Sequence, residues 1–368
     1  MRRINGILTA ALVFQLLLFG SLIAFCGPEP THIEPVAVLG ELKPDAVERI
    51  TIAARNGDEV DELVLERAGE RWRLPGQHGY PADAKKVDEL LGKLTGLRSS
   101  RIVARGQEHR VDLKVTDETF RRKITLAAGE AEHVLYLGDN AAGRAVCLRS
   151  DLRPETFASA AIQIWDIQAR PANWFAQPYF EIDGQRLVSI RIQGPQRTLQ
   201  LQRASRDGWR LDGEPIAAEK LDGLLERLER IELDGVRAAA GGDAAEKALA
   251  AAEKRWTVEL AMADAALEPE AAAAEVPDPQ PLGGEQGDAA DEEKPAAEGD
   301  EAEDAAEDQA TEPPALPEIV QRHQLTLATQ PEAENKLLVQ VDSSDYLVEV
   351  SRYRLAAIIE ADPAAAAD

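Results

Sequence analysis

A chain of 368 residues, 44% of them hydrophobic, is long enough for two ordinary domains with buried cores. Its formal charge of −25 is local: 18 of the 66 acidic residues and a single Lys fall between Asp264 and Glu312, a stretch of −17 that leaves −8 for everything else. No basic patch is present, so nucleic acid is not an expected partner, and two distant cysteines make no disulfide framework and no Cys-x-x-Cys site.

The chain opens Met1-Arg2-Arg3 and then runs uncharged and apolar from Ile7 to Phe25. About 20 apolar residues cross a hydrocarbon core as a helix. The two arginines before the run and the acids Glu29 and Glu34 after it orient the N-terminus to the cytoplasm. Residues 1–30 therefore read as a single-pass anchor of a cell membrane, spanning about 7–25 in the lipid bilayer, with the bulk of the chain extracytoplasmic. A cleaved signal and lipidation at Cys26 are the competing readings; the bulky Phe25 before that cysteine argues against lipidation.

A repeat follows. Strand-like alternation in Val47–Ile52 returns in Leu187–Ile192. Leu63-Val64-Leu65-Glu66-Arg67 and Arg71-Trp72-Arg73-Leu74 return as Leu199-Gln200-Leu201-Gln202-Arg203 and Gly208-Trp209-Arg210-Leu211. Pro81-Ala82-Asp83 leads into Val87, Leu90, Leu91, Leu94 and Leu97, one face of a helix, and Pro215-Ile216-Ala217 leads into a second such helix from Leu221 to Leu228. Trp72 and Trp209 recur with the same neighbours, which marks them as core residues between strands and helix. Beyond the helices, Lys123-Ile124-Thr125-Leu126 aligns with Gln324-Leu325-Thr326-Leu327, and Val134–Leu137 with Leu337–Gln340. On that alignment the second copy gains an Ala-rich stretch from Ala238 and an acidic stretch after Trp256–Leu260. The expected fold is α+β: two tandem copies of a β-rich β-β-β-α-β-β-β unit after one N-terminal transmembrane helix. The first copy with its linker spans 31–180, the second 181–264 plus 317–362, and 265–316, built of Ala, Glu, Asp, Pro and Gly, is expected to be a disordered acidic insert.

The search for chemistry returns little. His32, His78, His109, His133 and His323 show no metal-ligand spacing, and no nucleophile elbow or phosphate loop is present. No enzyme activity, metal or cofactor is expected. Gly138-Asp139-Asn140-Ala141-Ala142-Gly143 reads as a hairpin turn, and Cys147 as a small buried residue of a strand. The densest aromatic segment, Trp165…Trp174-Phe175…Tyr179-Phe180, joins the two copies. Packing there is its default role; any part left exposed is the first candidate for binding a protein partner.

The order Glu66-Arg67…Trp72-Arg73-Leu74, Tyr80-Pro81-Ala82-Asp83…Val87…Leu90-Leu91…Leu94 and Leu137-Gly138-Asp139 resembles the DUF4340 family, as does Arg170-Pro171-Ala172-Asn173-Trp174-Phe175 running into Ile182-Asp183-Gly184…Val188-Ser189-Ile190. The resemblance extends from about Val36 to about Ala361. It implies a bacterial, N-terminally anchored, extracytoplasmic protein, an accessory or scaffold in a cell-envelope complex, with some members similar to auxiliary components of ABC-type transport systems. The alternative is a solute- or glycan-binding module with a cleft between the copies.

Overall fold

A computed structural model describes Leu12, Phe14, Gln15 and residues 34–203, 205–206, 208–267 and 317–360. Among these, no helix is long and apolar enough to cross a membrane. The span expected at 7–25 lies outside the described residues apart from Leu12, Phe14 and Gln15, as does nearly all of the acidic insert. The chain divides into two compact units, Met1–Phe175 and Ala176–Asp368.

The first unit is built on a nine-stranded sheet: β1 (Arg49–Asn56), β2 (Glu59–Ala68), β3 (Arg71–Leu74), β4 (Tyr80–Pro81), β5 (Ile102–Ala104), β6 (Arg122–Ala128), β7 (Ala131–Ala141), β8 (Ala145–Ser150) and β9 (Thr156–Ser159), in the order β4-β3-β2-β1-β6-β7-β8-β9-β5. Every neighbouring pair is antiparallel. Alternation does what the pleat demands: Ile50, Ile52, Leu63, Leu65, Ile124, Leu126, Leu135 and Leu137 are all buried. Helix α1 (Ala84–Thr95) lies against β3 and buries Val87, Leu90, Leu91 and Leu94 of the stripe read from the sequence; Leu97 is buried too, but beyond the helix end. Each such side chain contributes about 2 kcal/mol of burial. Asp83 starts the helix by accepting from the Lys86 backbone N–H at 3.3 Å.

The second unit repeats this plan with β10 (Leu187–Gln193), β11 (Thr198–Arg203), β12 (Trp209–Leu211), β13 (Glu214–Pro215), helix α2 (Asp222–Glu229), β14 (Gly235–Ala239), helix α3 (Asp243–Ala250), β15 (Arg255–Ala263), β16 (Ile319–Thr329), β17 (Lys336–Val341), β18 (Tyr346–Ser351) and the short helix α4 (Ala356–Ile359). Its sheet order, β13-β12-β11-β10-β15-β16-β17-β18-β14, is that of the first unit strand for strand. The molecule is β-rich, with two large sheets compatible with two repeats. Where Asp83 capped α1, Ala217 offers no acceptor; the chain makes a short 3-10 turn at Ala218–Lys220 and α2 begins after it, without a side-chain cap.

The structure corrects both alignments beyond the helices. Ile52 faces Ile124 across β1 and β6, and Ile192 faces Val258 across β10 and β15. Residues 123–126 therefore correspond to Thr257–Leu260, not to 324–327. Ile124 in turn faces Leu135, and Val258 faces Leu325, so residues 134–137 correspond to 324–327, not to 337–340, and the offset between units steps from 134 to 190 across this hairpin alone. With 56 extra residues, 58 stand where a two-residue turn, Gly129-Glu130, joins β6 to β7 in the first unit. The Ala-rich stretch from Ala238 adds no length: β14 matches β5, and α3, which has no helical counterpart between β5 and β6, packs Ala245 among Ala238, Ala328, Leu338 and Leu347.

Candidate functional site

Two pieces of recurrent sequence prove structural. Arg67 sits 5.2 Å over the Trp72 ring and donates from Nη1 to the Asp45 carbonyl at 2.9 Å. Arg203 sits 4.6 Å over Trp209 and donates to the carbonyls of Leu187, Arg206 and Gly184. In both units the arginine ties the end of the second strand to the turn that precedes the first, with the buried indole beneath it.

Gly138-Asp139-Asn140 is not the hairpin turn. It continues β7, and the chain reverses at Ala142–Arg144, where Gly143 and Arg144 take positive φ. Gly138 is required by a crossing backbone: a Cβ there would lie 2.7 Å from the Lys114 carbonyl and inside contact distance of the Leu113 carbonyl. Asp139 then binds Lys114 at 2.9 Å and Arg121 at 2.9 Å. Burial alone would raise its pKa, but these two hydrogen-bonded cations outweigh it and hold the carboxyl below the ordinary range. The same loop carries Val115 and Phe120 onto the sheet face formed by Ala53, Tyr136 and Cys147. Beside it, Asp117 accepts from the Tyr136 hydroxyl at 2.7 Å and from Lys123 at 2.8 Å. Cys147 is unpaired and buried, and burial pushes its thiol pKa up. Among the described residues, no group of three or more His, Cys, Asp and Glu is placed to hold a metal ion.

The aromatic segment divides between the units. Trp174 and Phe175 are buried in the first: the Trp174 indole donates to the Gln168 carbonyl at 2.7 Å, and Phe175 meets Tyr80 edge-on at 5.3 Å between ring centroids. Phe180 is buried in the second unit, 5.3 Å from the His323 ring, and the part-buried Tyr179 donates to the Tyr346 carbonyl at 2.6 Å. These four side chains pack the units.

Trp165 is the exception. It is 70% exposed, in a 3-10 turn, Ile164–Asp166, that is pinned on three sides. The Gln163 backbone N–H donates to Asp166 at 2.8 Å, Lys93 of α1 pairs with Asp166 at 2.8 Å, and Gln168 donates to the Trp165 carbonyl at 2.9 Å. Next to it lies an open groove of about 590 Å³ between α1 and the 166–174 segment, lined by Lys86, Glu89, Leu90, Lys93, Gln168 and Trp174 among others. A rigid backbone presenting a bare indole beside a concavity with mixed charge has the composition of a protein-binding anchor with a polar rim. The sequence places Trp165 in the aromatic segment and carries no signal that separates it from its buried neighbours.

No curated protein and no solved structure matches the chain. The family described as "Domain of unknown function (DUF4340)" matches residues 72–253, from Trp72 in β3 to the residue two before β15. That span includes α1, the Gly138-Asp139 crossing, the Trp165 turn and the first half of the second unit, and the chain belongs to the DUF4340 family.

Proposed function

We propose that this chain is a non-enzymatic accessory or scaffold protein of the cell envelope, in which the first unit binds a protein partner through Trp165 and the adjoining groove. The single observation behind this is the exposed, rigidly held indole: a bare Trp costs solubility, and the three hydrogen-bonded contacts beneath it spend structure on keeping it in place. The chain is read as one unit used twice behind a single N-terminal spanning helix at 7–25, with both units extracytoplasmic. The sequence of the first 30 residues supports that placement, and family resemblance suggests an ABC-type transport assembly as the partner class.

The test is a comparison of Trp165→Ala with the unaltered chain, each tagged at the C-terminus, extracted from membranes and lightly crosslinked. A central Trp in a protein interface carries about 2 kcal/mol or more, so the variant should recover about 30-fold less partner at limiting concentration. Its unfolding curve should lie close to the parent's because most of the side chain is exposed. Undiminished recovery with Trp165→Ala removes the proposal; so does a variant that fails to fold.

A further inference from the structure

Trp165 has a counterpart in the second unit. In the first unit β9 is followed, four residues on, by the 3-10 turn Ile164–Asp166; in the second, β18 runs directly into a 3-10 turn, Arg352–Leu355. Each turn carries an aromatic at its second position, Trp165 in one and Tyr353 in the other. Two residues further on stands a buried aliphatic, Ile167 or Leu355, that roots the turn in its unit. Tyr353 is 80% exposed, more than Trp165.

The turn beneath Tyr353 is held as firmly as that beneath Trp165. The Arg352 N–H donates to the Asn335 carbonyl at 2.8 Å, and the Ala356 N–H donates to the Tyr353 carbonyl. Arg354 donates from Nη1 to Glu232 at 2.8 Å, and its Nη2 lies 3.8 Å from Asp234, which itself accepts from the Ser351 N–H at 2.7 Å. Between this turn and α2 runs a groove of about 450 Å³, with Ile231, Val350 and Leu355 in its lining. The first-unit groove lies in the same way beside α1.

The two surfaces differ in charge. In the first unit Asp166, the residue after Trp165, neutralises Lys93 of α1. In the second the residue after Tyr353 is Arg354, and the α2 residue 134 positions beyond Lys93 is Arg227, which makes no ion pair among the described residues. The groove brings three guanidiniums, Arg227, Arg230 and Arg354, against the carboxylates Glu226 and Glu232, and Glu232 is already shared between Arg354 at 2.8 Å and Arg230 at 3.5 Å. Tyr and Arg are the side chains that most often carry binding energy at protein interfaces.

We propose that this face of the second unit is a second docking surface for the same protein partner, and that it takes a segment bearing carboxylates. Tyr353 is the anchor, and Arg227 supplies the cation that the chain itself does not compensate. The inference rests on the reading of Trp165 as an anchor, and it gives each copy of the duplicated unit one anchor of its own. An uncompensated guanidinium at the rim favours an acidic segment and disfavours a basic one.

The probe is the protein that co-purifies with the unaltered chain, re-bound to each purified full-length variant under equal conditions. Tyr353→Ala should recover about tenfold less of it, and Arg227→Glu a similarly reduced amount. Arg227→Lys, which keeps the charge, should bind more like the parent. Trp165→Ala holds the partner through the second unit, so soluble polyglutamate should displace what that variant retains. Full recovery with Tyr353→Ala, while Trp165→Ala loses the partner, would overturn this inference and leave the first-unit anchor standing. Loss with Tyr353→Ala and full recovery with Trp165→Ala would support the second surface and remove the first. Recovery unaffected by both Arg227→Glu and polyglutamate would overturn the assignment of an acidic segment.

Discussion

Gly138→Ala is the most severe test of how the first unit is held together. The added methyl meets the backbone of Leu113 and Lys114, which cannot rotate away, so either the loop or β7 must move. Loop displacement breaks the bond from the Asp139 N–H to the Leu113 carbonyl at 3.1 Å, worth about 1 kcal/mol. It also strains the bond from Arg149 Nε to the Val115 carbonyl at 2.7 Å, worth about 1.5–3 kcal/mol for a charged donor. Lys114, held at φ 56° beside Asp139, loses its ion-pair restraint as well. Against this, replacing glycine in a strand recovers about 0.5–1 kcal/mol. The expected net cost is about 2–4 kcal/mol. The second unit supplies the control, because the corresponding residue, Ala328, is fully buried and already carries a methyl; Ala328→Gly should cost about 1–2 kcal/mol, from one lost buried methyl and the added chain entropy. Urea unfolding followed by Trp fluorescence reads both, and amide exchange at Asp139 reports the loop directly. Wild-type stability in Gly138→Ala, with Asp139 still protected, would refute the crossing-backbone account.

Other outcomes follow from the same contacts. Arg203→Met removes three carbonyl bonds and the stack on Trp209, and should cost about 3–4 kcal/mol, whereas Arg67→Met, which gives up one such bond, should cost about 1–2 kcal/mol; chemical denaturation of the pair checks the ranking. Glu349 is expected to govern the acid limb of the second unit. Burial would raise its pKa, but hydrogen bonds from Lys336 and Gln330 outweigh that and hold it below its ordinary 4.5. A carboxylate with a depressed folded pKa stabilises the fold above about pH 4.5, and that contribution disappears as the pH falls through the folded value. Glu349→Gln should therefore be less stable than the parent at pH 7 and show a flatter decline below 4.5 in urea titrations; parallel curves would show that the carboxylate is not the group responsible.

Local chemistry was legible wherever it was self-contained. The α1 stripe and the strand alternations could be read directly, because a helix and a half-buried strand write their period into neighbouring residues. The Arg–Trp recurrence was visible too, though only as a pattern; that the guanidinium covers the indole is a fact of register. What could not be read depended on residues far apart. β6, β7, β15 and β16 all alternate, so period alone could not say which strand of the second unit matched which of the first, and the acidic segment hid the hairpin that would have decided it. Gly138 looked like a turn residue because glycine followed by Asp and Asn is turn chemistry; its reason is a loop 25 residues earlier. Trp165 and Trp174 are alike in sequence context, and only the packing of 166–174 against α1 separates a bare indole from a buried one.

The register supplies a sharper test of the proposed duplication than any point substitution. In the first unit Ala128 pairs with Ala131 around Gly129-Glu130, and in the second Met262 pairs with Gln321 at the corresponding place. Replacing residues 263–320 by Gly-Glu should therefore join β15 to β16 with the turn already used between β6 and β7. Closure entropy favours the short form: going from 58 connecting residues to two lowers the loop cost by at most about 3 kcal/mol, less whatever strain the tight turn introduces. The shortened chain should fold with its thermal midpoint unchanged or raised, and Trp256 and Trp209 should keep their buried emission. A one-residue error in the register would flip Val258 and Leu260 out of the core and leave the second unit unfolded. A folded product would mean that the acidic segment, whatever it does, is carried by the sheet and does not build it.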